Sequence, residues 1–452
     1  MAIVVPFRGI LYSREKVRDF SKVTAPPYDV ISPEQQERYY HYSPYNIIRL
    51  ILGKQFPDDS SSDNRYTRAA SFFHKWQDES IVERDETPSL YFYHQEFSGS
   101  GGRRVARDGF VGLVKLEEKG SGMIIPHERT LDKPKEDRLE LIKACSAHFC
   151  SIFSLYSDPE DTINRLLRGA MSGAPLIEIT DEDTTLHQLW RIAQPEVIRQ
   201  IYHRLKDIPL FIADGHHRYE TALNYRNLQR KHYPHPTGKE PFNYVMMYLT
   251  SMEGRGLVIL PYHRVIHSLQ GFDFASFEKR LEDYFEIKSF HFTRENEVQV
   301  WEEFNGQLQS NAWGRPLFGM YGAGQGCYQL LVLKEALFSS LSDDHEGSAS
   351  LKRLGVNSIE SFIFRKVLGI TSASLQHQQN ITYVHESSEG LELVRGKGYQ
   401  LAFFLSSTTP AEIGDIASRG ETMPQKSTYF YPKLLSGLVM NSIIPEESIE
   451  FP

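Results

Sequence analysis

Cysteine is scarce in this chain, and the few that are present form no recognisable framework. Among its 452 residues only Cys145, Cys150 and Cys327 are cysteines, and no two of them form a C-x-x-C pair. An odd number of cysteines without such a pair favours neither a disulfide scaffold nor a structural zinc site. The sequence therefore predicts a protein of a reducing compartment, and we expect the cytoplasm.

Long apolar runs are lacking as well. Runs such as Leu401–Leu405 have only the length of a strand, whereas a membrane span needs about 20 consecutive apolar residues. Pro6 and Arg8 interrupt the only apolar stretch near the N-terminus, so the segment lacks the continuous apolar centre of a signal peptide. We expect no association with membranes.

A surplus of basic residues is also absent. Lys and Arg number 50 against 58 Asp and Glu, which gives a formal net charge of −8. Broad nucleic-acid binding needs a concentrated basic surface, so this balance argues against it, although a local basic patch stays compatible with it. We expect a small-molecule partner, and a homodimer is among the oligomeric states that the sequence leaves open.

Helix and strand patterns alternate along the chain and predict a mixed α/β protein. Ser32, which precedes a proline, predicts the N-cap of a helix. Two β-rich runs, 89–97 and 108–118, are joined by a Gly/Ser-rich turn and predict a hairpin. Helical patterns are expected to dominate from Thr185 to Leu205.

The length of the chain suits two or three domains, and its texture changes after His267. We therefore expect a domain over residues 1–268, which contains the sequence DGHHR, and a C-terminal α/β domain over residues 269–452. The segment MPQKSTYFYPK lies near the end of the second domain.

The most distinctive stretch is FIADGHHRYETALNYR, Phe211–Arg226. A short apolar strand is expected to end at Asp214, and a helical pattern follows Gly215. Such a turn leaves the backbone N–H groups of the first helical turn at the positive end of the helix dipole, which suits an anion. Arg218 opposes that dipole, but a guanidinium can grip the oxygens of a bound phosphate or carboxylate.

The two histidines of this stretch, His216 and His217, can donate, accept or shuttle a proton near neutral pH. A competing interpretation gives Asp214 a capping role, Gly215 a tight turn and the histidines a packing role. A metal-dependent phosphohydrolase is a further alternative, but the sequence contains neither H-E-x-x-H nor H-x-H. We therefore predict no metal site built by the protein itself.

Asp214–Arg218 resembles the strand-to-helix signature of the ParB/sulfiredoxin superfamily. Its members include chromosome-partitioning nucleotide hydrolases, an ATP-dependent sulfinic reductase and free serine kinases that carry Asp-Gly-His-His-Arg. The resemblance implies a ParB/sulfiredoxin-like core, here with a hairpin elaboration. It also implies that ATP or ADP, together with Mg²⁺, places its phosphates on Asp214, Gly215, His217 and Arg218.

Over nearly its whole length the chain is similar to a bacterial and archaeal family, DUF1015. The segments APPYDVIS, NIIRLIL, HERT, FIADGHHRYETAL, ILPYHRVI and MPQKSTYFYPKLLSGLV occur in the order typical of that family. This resemblance indicates the family but implies no reaction.

Two carboxylates outside the DGHHR motif are candidate catalytic groups. Glu128 in HERT is the first candidate for a general base, and His127 and Arg129 beside it are candidate substrate-binding residues; a solvated polar loop is the alternative. Asp29 follows a rigid Pro-Pro corner, from which it could act as a base or bind a metal, although turn formation also explains it.

Two further segments offer binding groups. His263 and Arg264 in PYHRVI stand on a predicted strand, where alternation sends them to opposite faces, and they are candidate substrate-binding residues. Lys426, Ser427 and Thr428 follow Pro424 and could contact phosphate. They lack the glycine frame of a P-loop, so we expect a supporting role.

Together these residues predict a nucleotide-dependent phosphotransferase that acts on a small hydroxyl-bearing metabolite such as serine. Its candidate catalytic residues are Glu128, His216, His217 and Asp29. Phosphoryl transfer depends on positioning and charge neutralisation, which the DGHHR turn and Mg²⁺ would supply. The alternatives are a nucleotide hydrolase or nucleotide-gated switch, a metal-dependent phosphohydrolase and a non-catalytic nucleotide sensor.

Overall fold

The computed structural model describes residues 1–99, 102–118, 120–128, 130, 132–233, 237–310, 314–340, 348, 351, 354–371, 374–375 and 379–452. Its α-helices are α1 Pro33–Tyr42, α2 Ile48–Ile51, α3 Arg65–Asp78, α4 Asp132–Cys145, α5 Thr162–Ala170, α6 Pro195–Leu205, α7 His216–His232, α8 Phe274–Leu281, α9 Glu297–Gln309, α10 Glu335–Ser340, α11 Gly355–Ser358, α12 Ser387–Gly396 and α13 Pro410–Ser418. A π-helical segment, Ile359–Val367, follows α11 directly.

The strands are β1 Val4–Val5, β2 Ile10–Tyr12, β3 Val82–Arg84, β4 Leu90–Ser98, β5 Arg104–Lys115, β6 Ile124–Pro126, β7 Ala147–His148, β8 Ile152–Tyr156, β9 Ile177–Thr180, β10 Leu186–Ile192, β11 Leu210–Asp214, β12 Tyr244–Ser251, β13 Val258–Leu260, β14 His263–Ile266, β15 Phe285–His291, β16 Leu317–Gly322, β17 Cys327–Leu333, β18 Ile381–Val384, β19 Leu401–Phe404, β20 Tyr429–Tyr431 and β21 Asn441–Ser442. Short 3₁₀ turns lie at Phe20–Lys22, Tyr28–Val30 and Pro241–Asn243.

The mixed α/β class expected from the sequence is confirmed, because helices alternate along the chain with the strands of a mixed sheet and of an antiparallel sheet. The ParB/sulfiredoxin-like core stays a prediction. Within the described ranges, no helix is both long enough and apolar enough to cross a bilayer.

The chain forms two compact units. Unit 1 comprises Met1–Pro126, Thr130–Val258 and Pro432–Pro452, and unit 2 comprises His127–Arg129 and Ile259–Tyr431. The end of the chain belongs to unit 1 because β21 pairs with β7, while the amide of Met440 donates to the carbonyl of Ile10. The domain ranges 1–268 and 269–452 stay a prediction.

A mixed sheet forms the centre of unit 1, with the strand order β6-β11-β8-β12-β5-β4-β10-β9 and β1 paired with β5. The predicted hairpin is formed by β4 and β5. Strand β11 runs parallel to β6 and antiparallel to β8. Because β8 is antiparallel to β11, the residues that precede β8 lie beside the end of β11, where α7 begins.

Helices pack against this sheet through apolar side chains. Ile163 and Leu167 of α5, Ile201 of α6, and Tyr219 and Leu223 of α7 belong to one buried cluster with strand residues of the sheet. The burial of these side chains fixes α7 against the sheet, and with it the position of the first helical turn after β11.

One segment of unit 1 differs from its sequence-based expectation. The helix predicted from Thr185 to Leu205 exists only as α6, and β10 precedes it. The alternation of β10 is concealed in the sequence because one of its inward positions carries a polar residue, His187, which is fully buried. Pro195 then occupies the first turn of α6, as is common for proline.

Unit 2 is built around an antiparallel sheet with the strand order β15-β17-β16-β19-β14-β18. Phe304 and Leu308 of α9 and Val394 of α12 are buried in its core together with Phe404 of β19. Helix α13 begins with a capping box, since Thr409 accepts from the amide of Glu412 at 3.3 Å. This unit positions the second group of predicted site residues.

Candidate functional site

The elbow, Asp214–Arg218, joins β11 to α7 within unit 1. Gly215 adopts φ = 96° at the N-cap of α7, in the left-handed region that other residues rarely adopt. A Cβ atom at this position would lie 2.9 Å from atoms of the Arg218 guanidinium. Glycine therefore permits both the turn and the close approach of Arg218 to the backbone.

Asp214 is held in its ionised form. Its Oδ2 atom lies 3.0 Å from Nζ of Lys433 and 3.8 Å from a terminal nitrogen of Arg218. Burial alone would raise the pKa of the carboxyl group, but Lys433 and Arg218 lower it by more than burial raises it, so its pKa falls well below the ordinary value. Asp214 is therefore a carboxylate across the physiological pH range.

Arg218 bridges two strands of the sheet. Besides Asp214 at the end of β11, its guanidinium contacts the carbonyl oxygen of Ser151, which precedes β8. Burial lowers the pKa of Arg218, but the surrounding acidic groups, of which Asp214 contributes most, together raise it by more, and the net shift is upward. Arg218 is therefore a fixed cation in the first turn of α7.

The other predicted residues of unit 1 lie near this ion pair. His216 is buried and its electrostatic interaction with Asp214 lowers the pKa of that carboxyl group, whereas His217 is half-buried. Asp29 is exposed in the 3₁₀ turn Tyr28–Val30, and its charge raises the pKa of Arg218. The elbow and Asp29 therefore form one electrostatic group.

A narrow cavity of about 40 Å³ lies beside the elbow, with Arg218, Arg138, Tyr28 and Cys150 among the residues that line it. The Arg138 guanidinium lies 3.9 Å from the centre of the Tyr28 ring. Burial raises the pKa of the Cys150 thiol, so this group is not an activated nucleophile. A volume of this size admits a few water molecules.

Two motifs that are far apart in the sequence meet in unit 2. His127 Nε2 lies 3.2 Å from Oγ1 of Thr428, and the carbonyl of His127 accepts from the amide of Met423 at 2.7 Å. Glu128 forms an isolated parallel bridge with Met423. The structure therefore brings His127 and Glu128 together with the KST segment, Lys426–Thr428.

Arg264 extends this second cluster. Its guanidinium donates to the carbonyl oxygens of Tyr262 and Lys426, the latter at 3.2 Å. The Lys426 ammonium lies 5.0 Å from the centre of the Tyr262 ring, and the Lys426 backbone has φ = 55°. Ser427 donates to the carbonyl of Pro424 at 2.6 Å. We call His127, Glu128, Arg264 and Lys426–Thr428 the second cluster.

His263 is buried next to the second cluster and is electrically neutral. Its Nδ1 atom accepts a hydrogen bond from the amide of Leu405 at 3.2 Å. Burial, with smaller contributions from Arg264 and His385, lowers the pKa of His263 to about 3. Tyr262 and Arg264 are buried too, so both faces of the strand are covered. Arg129, the remaining candidate, lies outside the described residues.

Lys433 is the residue near the elbow that the sequence did not single out. It stands at the end of the segment MPQKSTYFYPK, whose earlier residues Lys426, Ser427 and Thr428 were the candidates. A buried carboxylate such as Asp214 needs cationic partners, which was a signal for a further cation. Nothing in the sequence says which of the 50 Lys and Arg residues supplies it.

Groups of three or more His, Cys, Asp or Glu side chains that could hold a metal ion are not found among the residues that the structure describes. Asp214 is already engaged by Lys433 and Arg218. An ion at the elbow would thus depend on oxygen ligands supplied by a nucleotide, as is common for Mg²⁺.

Comparisons with known proteins place the chain in a family. Residues 4–357 match the model of the family described as "Protein of unknown function (DUF1015)". No curated protein matches the chain.

Among solved structures, the chain is similar to a free serine kinase in complex with AMP, with 12% identity, coverage of 72% of this chain and 90% of that one, and a TM-score of 0.34. A conserved hypothetical protein from Pyrococcus furiosus shows 12% identity, coverage of 69% and 90%, and a TM-score of 0.31. SbnI with a C-terminal truncation from Staphylococcus aureus shows 11% identity, coverage of 72% and 85%, and a TM-score of 0.34. Similarities of this size carry no conclusion about activity, whereas the family model spans most of the sequence: this chain belongs to the DUF1015 family.

Proposed function

We propose that the chain binds the phosphates of ATP or ADP at the elbow and transfers a phosphoryl group to a small hydroxyl-bearing metabolite such as serine. The observation that carries this proposal is the left-handed Gly215 at the start of α7, with the cations Arg218 and Lys433 on one carboxylate, Asp214.

Charge supports an anionic ligand at this position. Arg218 and Lys433 contribute two positive charges, and Asp214 offsets one of them. The first turn of a helix adds the positive end of its dipole and several backbone N–H groups directed outwards. These are the features with which helix N-termini bind phosphate, and α7 is a long helix of 17 residues.

Asp29 is our proposed general base. Its carboxylate is exposed, and its charge acts on Arg218 and Tyr28 within unit 1. In the proposed step, the acceptor oxygen forms a bond to the terminal phosphorus, the bond from that phosphorus to the bridging oxygen breaks, and ADP or AMP leaves. The proton of the acceptor hydroxyl passes to Asp29. Mg²⁺ bound with the nucleotide would neutralise phosphate charge.

The two histidines of the elbow belong to the same proposal: His216 and His217 would hold the acceptor hydroxyl or its proton. Glu128 is the base of an alternative that places the chemistry at the second cluster within unit 2, and only in that alternative would the remaining candidates of unit 2 contact substrate or phosphate. These are His127, Arg129, His263, Arg264, Lys426, Ser427 and Thr428.

Two measurements on the full-length protein test the proposal. In a thermal-shift assay with Mg²⁺, we expect ATP or ADP to raise the Tm of the wild type and to raise that of the Arg218→Met variant much less. In a ³¹P NMR assay with ATP or ADP and serine or other hydroxyl compounds, we expect a new phosphomonoester signal.

The outcomes separate the proposal from its alternatives. Release of inorganic phosphate without an acceptor would identify a nucleotide hydrolase, and binding without turnover would identify a sensor. Phosphatase activity that chelators abolish, with no effect of nucleotide, would identify a metal-dependent phosphohydrolase. If no nucleotide changes the Tm of the wild type, the proposed function is wrong.

A further inference from the structure

The C-terminal strap, Pro432–Ser436, contacts the elbow within unit 1 through the side chain of Lys433. The side chain of Lys433 is only 11% exposed, and its Nζ atom lies 3.0 Å from Oδ2 of Asp214. Arg218 approaches the same oxygen at 3.8 Å. Two cations from distant parts of the chain are therefore directed at the point where α7 begins.

Attachment of the strap does not depend on the side chain of Lys433. The amide of Ser436 donates to the carbonyl of Ala25 at 2.8 Å, and the carbonyl of Ser436 accepts from the amide of Ala25 at 3.4 Å. The hydroxyl of Ser436 lies 2.9 Å from Sγ of Cys150. These contacts fasten the strap by its backbone and by Ser436, so a lysine at position 433 is not needed for this purpose.

Two buried side chains set the position of the Lys433 backbone. Arg107 donates to the carbonyl of Pro432 at 2.6 Å, and Gln95 Nε2 donates to the carbonyl of Lys433 at 3.2 Å. Gln95 and Arg107 face each other across β4 and β5, and Nε of Arg107 donates to Oε1 of Gln95 at 3.1 Å. Because both residues stand on central strands of the sheet, they hold the backbone of Lys433 in a fixed position.

Burial of a charged arginine is costly, and burial lowers the pKa of Arg107. A buried ion pair such as Lys433 with Asp214 also adds little net stability, because desolvation offsets most of the Coulombic attraction. A contribution to stability therefore explains the buried Lys433–Asp214 pair poorly. A role in binding an anion explains it directly, because such a site needs a cation in a fixed position.

We propose that Lys433 is an anion-binding residue of the elbow, and that Gln95 and Arg107 are its positioning residues. This inference rests on the proposed function, since it assigns to Lys433 the phosphates of the same nucleotide. When phosphate oxygens lie at the first turn of α7, the Lys433 ammonium divides its three donors between them and Asp214. Lysine suits this role because its ammonium is a compact point charge.

Calorimetric titration of the full-length protein with ATP and Mg²⁺ tests the role of Lys433. For Lys433→Met we expect the Kd to rise about tenfold, as is typical when one charge-assisted hydrogen bond is removed. Lys433→Arg keeps the charge and should remain within about threefold of the wild type. The matched control is Lys143→Met, because Lys143 is exposed on α4 and pairs with Glu140, and its Kd should not change.

A double-mutant cycle tests the positioning role of Gln95. Gln95→Met removes the donor to the strap with little change of volume, and we expect it to raise the Kd about threefold. In the Lys433→Met background the same change should have no further effect, because the group that Gln95 positions is gone. If Gln95→Met does not fold, Arg107→Lys takes its place in the cycle.

The outcomes distinguish this inference from the proposed function. If the wild type does not bind ATP, both are wrong. If the wild type binds ATP and Lys433→Met binds it equally well, the role of Lys433 alone is wrong. Equal losses from the Gln95 change in both backgrounds would show that Gln95 is merely structural.

Discussion

The elbow and the second cluster each contain a residue in the left-handed backbone region, but they use it differently. At the elbow this residue is Gly215, with φ = 96°, and a long helix begins directly after it. In the second cluster it is Lys426, with φ = 55°, in a segment without a helix. The elbow thus directs backbone N–H groups outwards, whereas the turn at Lys426 changes the direction of the chain.

The cations of the two regions differ in the same way. Arg218 and Lys433 meet a carboxylate at the elbow, whereas Arg264 meets the backbone carbonyls of Tyr262 and Lys426. Tyr429, next to the second cluster, stacks on His385 with ring centres 4.5 Å apart. The second cluster therefore has the properties of a structural contact that holds backbone segments of unit 2 together, and the elbow has those of an anion-binding site.

The largest expected effect separates the two candidate bases. Asp29→Asn should lower kcat of the proposed kinase about 100-fold, since general-base catalysis contributes about 10² to 10⁴, while the Kd for ATP stays within about threefold. Glu128→Gln should change kcat much less. Initial rates from ³¹P NMR and calorimetric Kd values check both variants, and the reverse order would move the chemistry to the second cluster.

A smaller effect concerns the pH dependence of stability near the second cluster. The pKa of His263 is lowered to about 3 in the folded protein, below its value of about 6.5 in unfolded chains. Between about pH 6.5 and about pH 3 the histidine binds a proton in the unfolded chain but stays neutral in the folded protein. The free energy of unfolding is therefore highest above about pH 6.5 and falls as the pH is lowered from there towards about 3. The loss is about 1.4 kcal/mol for each pH unit in that window.

Replacement of His263 should weaken the pH dependence of the unfolding free energy. His263→Gln keeps an acceptor for the amide of Leu405 and removes the titrating ring, so the slope should fall by about 1.4 kcal/mol per pH unit. Urea unfolding at several pH values between 4 and 6.5 measures the slope of the unfolding free energy with pH. Burial lowers the pKa of His148 in unit 1 to about 4. Its contribution to the pH dependence of the unfolding free energy should be the same in the variant as in the wild type. If the unfolding free energies of the wild type and of His263→Gln fall with pH at the same slope, His263 is not the source of this pH dependence.

The smallest effects have opposite signs in the two left-handed turns. Gly215→Ala places a Cβ in the left-handed region and should cost about 1 to 2 kcal/mol of unfolding free energy. It should also weaken ATP binding, because the new Cβ displaces the Arg218 guanidinium. Lys426→Gly relieves the strain of a left-handed lysine and should change stability by less than about 1 kcal/mol, in the stabilising direction. Urea titrations compare the two variants.

Much of the local structure could be predicted from the sequence because its signals are local. Ser32 caps α1, since its side chain accepts from the amide of Gln35, and the turn at Gly215 required only the residues that flank it. The strand β10 was missed because a buried histidine, His187, occupies an inward position. That residue is stabilised by Tyr93 at 2.6 Å and Asp181 at 2.9 Å, and such partners are specified only by the fold.

The partners of the candidate residues were beyond sequence reasoning for the same reason. Lys433 and Asp214 are separated by 219 positions, and only the return of the chain end to unit 1 brings them together. His127 and Thr428 are separated by 301 positions and meet within unit 2. A single sequence contains such groups but does not say which of them share a site.

Hydrogen exchange of the full-length protein with and without ATP and Mg²⁺ compares the elbow and the second cluster in one measurement. We expect the nucleotide to slow amide exchange in peptides that cover Leu210–His232 and Pro432–Ser436, with little change in those that cover Met423–Tyr431. Protection confined to Met423–Tyr431, or no protection under conditions where ATP is saturating, would contradict nucleotide binding at the elbow.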